Sequence, residues 1–185
     1  MFNRPMLAVA ALLGTFCAQS AILQRLTMDE MIAQSTEIVR GRVTGSAASF
    51  RGTPGKGGTI YTHYTVAVVD RIKGAAASTV DVAVPGGISQ GLSQTFAGAP
   101  TITNGQEYVL FLWTSRSGLT QVIGLTQGLF GVHVDASGNL VATRAAANEM
   151  MLDPANGQPV QDTDLKISLP SLLTQIQSAA SRGVR

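Results

Sequence analysis

The spacing of apolar residues changes several times along the chain. An unbroken apolar run, MLAVAALLGTF, fills residues 6–16, and helical spacing follows over residues 27–35. From residue 37 to residue 143, apolar and polar side chains alternate in short runs separated by glycine-rich segments, which is typical of half-buried strands. Helical spacing returns over residues 169–181. The pattern predicts a mainly β domain, with a short N-terminal helix and a C-terminal helix packed outside the strands.

Both predicted helices begin with a recognisable cap. Thr27 and Glu30 have the spacing of a capping box, in which the threonine oxygen accepts from a backbone amide and the glutamate reaches back. Ser168 precedes the second helix, and Pro170 lies in its first turn, where proline is tolerated. We therefore expect one helix to begin just after Thr27 and the other just after Ser168.

The strand candidates are seven runs, of which residues 60–72 form the longest. In residues 37–44, Val39, Gly41 and Val43 share one face, and the glycine indicates a bulge or bend. Residues 106–113 (QEYVLFLW) are the most hydrophobic run outside the N-terminal segment, which indicates burial on both faces and a central strand. The other runs are residues 60–72, 79–84, 119–125, 129–134 and 140–143, and residues 135–139 form a hairpin turn between the last two.

Two glycine-rich segments between strands are too long for simple hairpin turns. Residues 45–58 and residues 85–99 are expected to be loops, because hairpin connections usually run about 2–5 residues. Loops of this length either carry binding residues or are disordered connectors that bind nothing. For the binding alternative, aromatic and arginine side chains are the expected anchors, because they dominate interface energy. The partner-binding candidates are Phe50, Arg51 and Lys56 in the first loop and Leu92 and Phe96 in the second. Residues 144–162 are expected to be an irregular connector.

The N-terminal run has the layout of a secretory signal peptide. Arg4 supplies the positive charge, the apolar run follows, and Ala18 and Ser20 are small residues at the −3 and −1 positions of a cleavage site. Eleven apolar residues are too few to span a bilayer, which needs about 20. Phe16 argues against lipidation of Cys17, because a lipoprotein signal has a small residue there. We expect export to the periplasm or the extracellular space after cleavage near Ser20, with no membrane span afterwards.

Cysteine content and charge exclude several classes of chemistry. Cys17 is the only cysteine, so cleavage after Ser20 leaves no thiol for disulfides, thiolate catalysis or metal binding. The chain has 13 Lys and Arg against 11 Asp and Glu, with 13% charged residues and no basic cluster. That is not the footprint of a nucleic-acid-binding protein. The expected organisation is a signal peptide (1–20), an N-terminal helical segment (21–36), a β-barrel domain (37–143), and a connector with the C-terminal helix (144–185).

Catalytic and metal-binding motifs are weak throughout the chain. His63 and His133 are the only histidines, and neither belongs to a recognisable constellation. No serine of the strand region stands in the Gly-x-Ser-x-Gly motif of a nucleophile elbow. Asp153, Asp162 and Asp164 allow a calcium site, but residues 162–164 lack the glycine and distal glutamate of an EF-hand loop, and a local turn or cap explains Asp164 as well. We therefore assign no catalytic, cofactor-binding or metal-binding residue.

Two carboxylates of the chain are candidate partners for the two arginines of the first strand. Arg40 and Arg42 share one strand face and could pair with Asp70, with Asp81 or with a ligand carboxylate. Exposed ion pairs of this kind contribute about 0–1 kcal/mol to stability. An enzymatic alternative uses Asp70 and Glu107 as acid/base carboxylates.

The order of the strands resembles the netrin-like modules, a class that includes the inhibitory domain of tissue inhibitors of metalloproteinases. The resemblance rests on the alternating strand of residues 39–43, the strand of residues 64–68 ending in Lys-Gly, the strand of residues 80–84, and Gly-x-Glu-Tyr-Val-Leu-Phe at residues 105–111. It also extends to uncharacterised exported bacterial proteins that carry the same strand pattern with a Pro-Gly-Gly turn. It covers about residues 37–134 and implies a small OB-like barrel with the helices outside.

The resemblance does not carry a mechanism to this chain. In the inhibitors, an N-terminal cysteine presents its amine and carbonyl to a protease zinc, and no cysteine remains here after cleavage. Fold alone does not determine function. The sequence therefore predicts an exported, non-enzymatic β-barrel module that binds a protein or cell-envelope partner. The alternatives are a secreted hydrolase with carboxylate acid/base residues and a purely structural envelope protein.

Overall fold

The computed structural model describes residues 22–52 and 57–182. The predicted signal peptide and Lys56 lie outside the described residues. Within these two ranges the chain is mainly β, with one short N-terminal helix and one C-terminal helix, as the hydrophobic pattern predicts. The elements are β1 (Ile22–Gln24), α1 (Met28–Gln34), β2 (Glu37–Gly52), β3 (Gly58–Lys73), β4 (Thr79–Pro85), β5 (Gly87–Ser89), β6 (Leu92–Gln94), β7 (Glu107–Thr114), β8 (Thr120–Val122), β9 (Leu129–Val134), β10 (Leu140–Arg144), β11 (Met150–Leu152), β12 (Pro159–Val160), β13 (Leu165–Ser168) and α2 (Leu169–Arg182).

One large antiparallel sheet organises the molecule. Its strand order is β13-β10-β9-β7-β2-β3-β4, and β8 pairs with the other end of β7. In the described parts of the chain, the outer strands β13 and β4 do not pair with each other, so the sheet is open and the predicted barrel does not close. The sheet still bends, because β2 contains three register shifts against β3. This curvature brings β4 close to β8.

The sheet carries a hydrophobic core on each face. On one face, α1 and α2 cover the side chains of Ile38, Phe111 and Phe130. On the other face, the curled strands enclose Val43, Val66 and other apolar side chains. β7 lies at the middle of the strand order, and its Leu110, Phe111 and Leu112 have no exposed surface. The prediction of a central strand buried on both faces is confirmed.

The two helices start where the sequence predicts. Thr27 Oγ1 accepts from the Glu30 amide at 3.2 Å, and Glu30 Oε2 accepts from the Thr27 amide at 2.8 Å, so the capping box is complete. The bonds that Glu30 Oε2 accepts from the Thr27 amide, the larger effect, and from Thr27 Oγ1 hold the pKa of the exposed Glu30 carboxyl below its usual range. At the second helix, Ser168 Oγ accepts from the Ser171 amide at 3.3 Å. Leu169, Leu172 and Ile176 are buried against the sheet.

The prediction of a loop over residues 45–58 is wrong for nearly all of its length, because most of these residues belong to strands. β2 and β3 are each 16 residues long and stay paired from the bent region out to Gly52 opposite Gly58. A ladder of backbone hydrogen bonds can continue through small polar residues, and this segment has no hydrophobic alternation to reveal it. Phe50 packs over the far end of the hairpin, where a Cβ on Gly58 would overlap its ring. We name residues 45–52 and 58–65 the β2–β3 arm.

The prediction of an irregular connector over residues 144–162 is also partly wrong, because this segment contains the strands β11 and β12. β11 pairs in parallel with β1 at the start of the described chain, and Met151 is fully buried. Such pairing between distant segments leaves no local periodicity in a three-residue strand. Gln127 joins the same region: its side chain accepts from the Leu26 amide at 2.8 Å and donates to the Gln24 carbonyl at 2.9 Å.

Candidate binding surface

The segment expected to be a loop at residues 85–99 contains a small hairpin formed by β5 and β6. Gln90 and Gly91 link the two strands, and both have positive φ, at 52° and 76°. Two-residue hairpin turns of type I′ require positive φ at both positions, which glycine adopts without strain. The expectation of an irregular loop is therefore corrected to a defined β5–β6 hairpin.

Polar contacts fix the base of this hairpin against β3. Gln94 Oε1 accepts from the Ile60 amide at 2.7 Å, and Gln94 Nε2 donates to the Gly58 carbonyl at 3.0 Å. Thr62 Oγ1 donates to the Gly86 carbonyl at 2.8 Å. The approach is close, since a Cβ on Gly87 would overlap Thr62 Oγ1. The hairpin is therefore a preorganised projection.

The free part of the hairpin and the segment after it expose three large apolar side chains. The exposed fraction is 72% for Ile88, 56% for Leu92 and 40% for Phe96. In the ladder, Ile88 and Leu92 lie on opposite faces of the hairpin, because Ile88 is opposite Ser93 while Leu92 is opposite Ser89. Ile88 and Phe96 also line a cleft of about 390 Å³ beside the ends of β3 and β4. Ile88 and Phe96 therefore share one cleft, while Leu92 is exposed on the other face of the hairpin.

Tyr64 lines the same cleft from β3. Burial raises the pKa of its phenol above the usual value, and the neighbouring Tyr108 raises it further. Tyr108 does not line the cleft, and its hydroxyl oxygen accepts from the Thr103 amide at 3.1 Å. The lining of the cleft combines hydroxyl groups, among them those of Thr62 and Tyr64, with apolar surface.

The five predicted partner-binding residues do not form one cluster in the described chain. Leu92 and Phe96 belong to the hairpin region and are exposed. Phe50 is half-buried in the β2–β3 arm, and Arg51 beside it donates to the Ser117 carbonyl at 3.0 Å. Lys56 is not described. The sequence reasoning missed Ile88, the most exposed of the three apolar side chains, whose only signal is a large apolar residue in a segment rich in glycine and serine.

The carboxylates proposed for acid/base chemistry lie on either side of one arginine. Arg40 donates from Nε to Glu107 Oε1 at 2.6 Å and from Nη1 to Asp70 Oδ2 at 2.9 Å. Burial would lower the pKa of Arg40, but the hydrogen bonds to Glu107 and Asp70 raise it above the usual value. Arg42 donates to the Gly105 carbonyl and lies 3.4 Å from Glu107. The predicted pairing of Arg40 with Asp70 is confirmed, and the arrangement is that of a structural ion pair.

The histidines and the calcium candidates also have local partners. His63 Nδ1 lies 2.7 Å from Asp81 Oδ1 on the neighbouring strand, a contact that the spacing along the chain did not indicate. Asp153 accepts a hydrogen bond from the Ala155 amide in its own turn. Asp164 accepts from the Ala146 amide and Asp162 binds Arg144, each 18 residues away in sequence. Among the described residues, no group of three or more His, Cys, Asp or Glu side chains could hold a metal ion.

Trp113 forms a second exposed apolar feature, which the sequence reasoning placed in the core strand. Its side chain is 46% exposed at the end of β7. With Gln34, Gln121 and Leu125 it lines an open cleft of about 570 Å³. The burial of β7 on both faces ends at this residue because the strand reaches the edge of the core.

Comparison with known proteins adds no assignment to this geometry. No protein-family model, no curated protein sequence and no solved structure matches the chain. In the described ranges 22–52 and 57–182, no helix has the length and apolar character needed to cross a bilayer. The function must therefore be argued from the residues themselves.

Proposed function

We propose that this chain is an exported, non-enzymatic β domain that binds a protein or cell-envelope partner through the β5–β6 hairpin. The observation that supports the proposal is the exposure of Ile88, Leu92 and Phe96 within nine residues of sequence. Large apolar side chains in water are unfavourable, and a partner that covers them gains about 25 cal/mol per Å² of apolar surface.

The way in which the hairpin is held favours this role over that of a passive connector. Gln94 and Thr62 tie its base to β3 through three hydrogen bonds, so little conformational freedom is left to lose on binding. Ordering a rotamer-rich segment at an interface costs affinity, and preorganisation reduces that cost. Phe96 has the character of an interface anchor, because aromatic residues dominate binding energy.

Export and the netrin-like resemblance belong to the same proposal. The charged, apolar and small-residue sequence at residues 4–20 supports export to the periplasm or the extracellular space. A curved, mainly β sheet with helices on one side is compatible with a netrin-like module whose barrel is incomplete. A non-enzymatic role is favoured because Asp70 and Glu107 are already bound by Arg40.

A triple variant tests the binding surface. Ile88→Ser, Leu92→Ser and Phe96→Ser together remove the apolar surface and leave the turn at Gln90 and Gly91 in place. We expect recovery of the partner from a native envelope extract, quantified by pull-down and mass spectrometry, to fall by at least roughly tenfold. The thermal melting temperature should change little, since these side chains are exposed.

The matched control removes exposed apolar side chains elsewhere on the sheet. Val69, Val134 and Leu140 are 54%, 60% and 43% exposed, and their replacement by serine should leave partner recovery unchanged. Equal recovery by the parent, the hairpin variant and the control would show that the hairpin is not the binding surface. Turnover of any substrate that depends on Asp70 or Glu107 would contradict the non-enzymatic role.

A further inference from the structure

The cleft at the end of β7 combines one indole ring with two glutamine amides. Trp113 is 46% exposed and is the only tryptophan of the chain. Gln121 lies directly opposite Trp113 in the ladder of β7 and β8, so the two side chains are on the same face of the sheet. Gln34 enters the cleft from the last turn of α1, just before β2. Because β2 and β8 pair with opposite sides of β7, the two amides come from two different sides of the strand that carries the ring.

The polar groups of this cleft have unused hydrogen-bonding capacity. Within the described ranges of the chain, the side chains of Gln34, Trp113 and Gln121 bond to no other residue. A glutamine amide has two donors and an acceptor, and the indole N–H adds one donor. Among the described residues that line the cleft, none is charged. The lining is therefore matched to a neutral ligand that both donates and accepts hydrogen bonds, and not to an ion.

The wall of the cleft is fixed by buried contacts. Gly124 and Leu125 have φ values of 59° and 58°, and positive φ is uncommon for leucine. The Gln127 amide donates to the Gly124 carbonyl at 3.1 Å, and the Gln127 side chain is buried and bonded to the backbone on both sides of Arg25. Such a conformation persists only where its surroundings hold it. The cleft is therefore preformed, and its volume of about 570 Å³ is in the usual range of about 300–1,000 Å³ for a small-molecule site.

We propose that this cleft binds a neutral saccharide of β-linked pyranose rings, with one ring stacked on Trp113 and its hydroxyl groups bonded to Gln34 and Gln121. A pyranose with equatorial hydroxyl groups has a flat face of C–H groups and a polar rim, which complements a flat apolar ring with amides beside it. Val122 and Ile123 in the same lining are buried, so Trp113 is the one strongly exposed large apolar side chain among the described lining residues. An interface with a polypeptide usually groups several apolar anchors, which favours the saccharide.

The fluorescence of the single tryptophan reports binding at this site directly. Cellotetraose and chitotetraose supply neutral β-1,4-linked rings without and with N-acetyl groups, and sorbitol supplies hydroxyl groups without a ring. We expect a saturable change of the Trp113 emission with a tetrasaccharide and no change with sorbitol. A response to cellotetraose indicates that the sugar ring suffices, and a response to chitotetraose alone indicates an N-acetylated glycan. Because no charge takes part, the dissociation constant should be the same at low and high salt.

Calorimetric titration of variants with the same tetrasaccharide tests the two kinds of contact separately. Trp113→Ala should weaken binding by at least about tenfold, since it removes the stacking surface. Gln121→Leu keeps a side chain of similar size without the amide and should weaken binding roughly two- to tenfold. Gln175→Leu, at an exposed position of α2, is the matched control and should leave the dissociation constant unchanged.

The saccharide site can be distinguished from the proposed binding role of the β5–β6 hairpin. The two clefts share no lining residue, so the triple serine variant of the hairpin should bind the tetrasaccharide as the parent does. Trp113→Ala should likewise leave recovery of the hairpin's partner unchanged. Absence of a saturable response of the unmodified protein to both tetrasaccharides overturns the proposal, as does equal affinity of Trp113→Ala and the parent. Loss of a protein partner from Trp113→Ala without saccharide binding by the parent would identify the cleft as a protein interface instead.

Discussion

Leu110 lies in the central strand β7, opposite Val39 of β2 and Leu129 of β9, and has no exposed surface. Its neighbours on the same face belong to the core enclosed by the curled strands. Close packing on every side means that a smaller residue would leave a cavity that the surrounding strands cannot fill. Side chains of this kind contribute most to the stability of the sheet.

Leu110→Ala should therefore lower the free energy of unfolding by about 2–5 kcal/mol, the usual range for a buried leucine. Leu140→Ala is the matched control, because Leu140 also lies in a strand but is 43% exposed. Its loss should be much smaller. Denaturant unfolding of the three proteins gives both values, and a loss under about 0.5 kcal/mol at Leu110 would mean that β7 is not a core strand.

Asp162 and Arg144 form the most buried ion pair of the described chain. Their side chains are 6% and 8% exposed, and two hydrogen bonds of 2.6 and 2.8 Å join them. Burial would raise the pKa of Asp162, but the bonds from Arg144 and from the Ala147 amide hold it below the usual value. Stability from this pair is therefore present above the ordinary aspartate pKa of about 3.9 and is lost as pH falls through the lower folded value.

Asp162→Asn should cost about 3–5 kcal/mol at pH 7, because it leaves the Arg144 charge buried without a counter-charge. The variant should also lose less stability than the parent between pH 5 and pH 2, since the titrating group is gone (these bounds are approximate and follow from the aspartate pKa). Denaturant unfolding across a pH series measures this difference. Asp164→Asn, which removes an exposed carboxyl two residues away, is the control variant. Equal curves for the parent and Asp162→Asn would contradict the prediction.

At the scale of elements, the sequence predicts best what is encoded locally. The capping box at Thr27, the Ser168 cap and the apolar run of β7 each depend on neighbouring residues, and the structure confirms all three. The turn at residues 135–139 is confirmed as well: Asp135 Oδ1 accepts from the Ser137 and Asn139 amides, and these bonds, that from Asn139 first, lower the pKa of Asp135. Capping and turn chemistry can be read from a few adjacent residues.

The elements that sequence reasoning missed depend on distant partners. The outer half of β2 is a strand because β3 lies beside it, and β11 is a strand because β1 reaches it from the other end of the chain. Leu92 and Phe96, two of the predicted binding residues, are exposed as expected. Ile88 and Trp113 are exposed too, but the sequence pattern gives no sign that would distinguish them from buried residues. Exposure depends on tertiary packing, and apolar spacing alone does not report it.

Gln94 gives a test at the scale of elements. Its side chain bonds to backbone groups of β3 beyond the end of β4, where no neighbouring strand pairs with them. Gln94→Ala removes the bonds to the Ile60 amide and the Gly58 carbonyl, and should cost about 1–2 kcal/mol. Hydrogen exchange at Ile60 should become faster while exchange in β7 is unchanged. Ser93→Ala, at the next position on β6, is the control and should have no such effect. Unaltered exchange at Ile60 in Gln94→Ala would show that the hairpin is held by other contacts.

At the scale of the whole molecule, the beginning of the described chain is connected to its C-terminal third. β1 pairs with β11, and Gln127 bonds to the backbone on both sides of Arg25. Gln127 is 2% exposed, so its amide would be left unsatisfied if this segment were absent. Residues 22–26 are therefore part of the folded domain, and any processing of the N-terminus must leave them in place.

Because residues 22–26 belong to the folded domain, the position of export cleavage tests both the predicted signal peptide and the structural role of β1. Cleavage near Ser20, as the small residues Ala18 and Ser20 predict, would keep Ile22–Gln24 for pairing with β11. We expect N-terminal sequencing of the exported protein to begin near Ala21 or Ile22. A shortened chain that begins at Arg25 should unfold at a lower denaturant concentration, since it lacks the β1 ladder and the Gln24 carbonyl that Gln127 binds. A full-length chain retained in the cytoplasm, or a lipid attached to Cys17, would contradict export as a free protein. Unchanged stability of the shortened chain would contradict the structural role of β1.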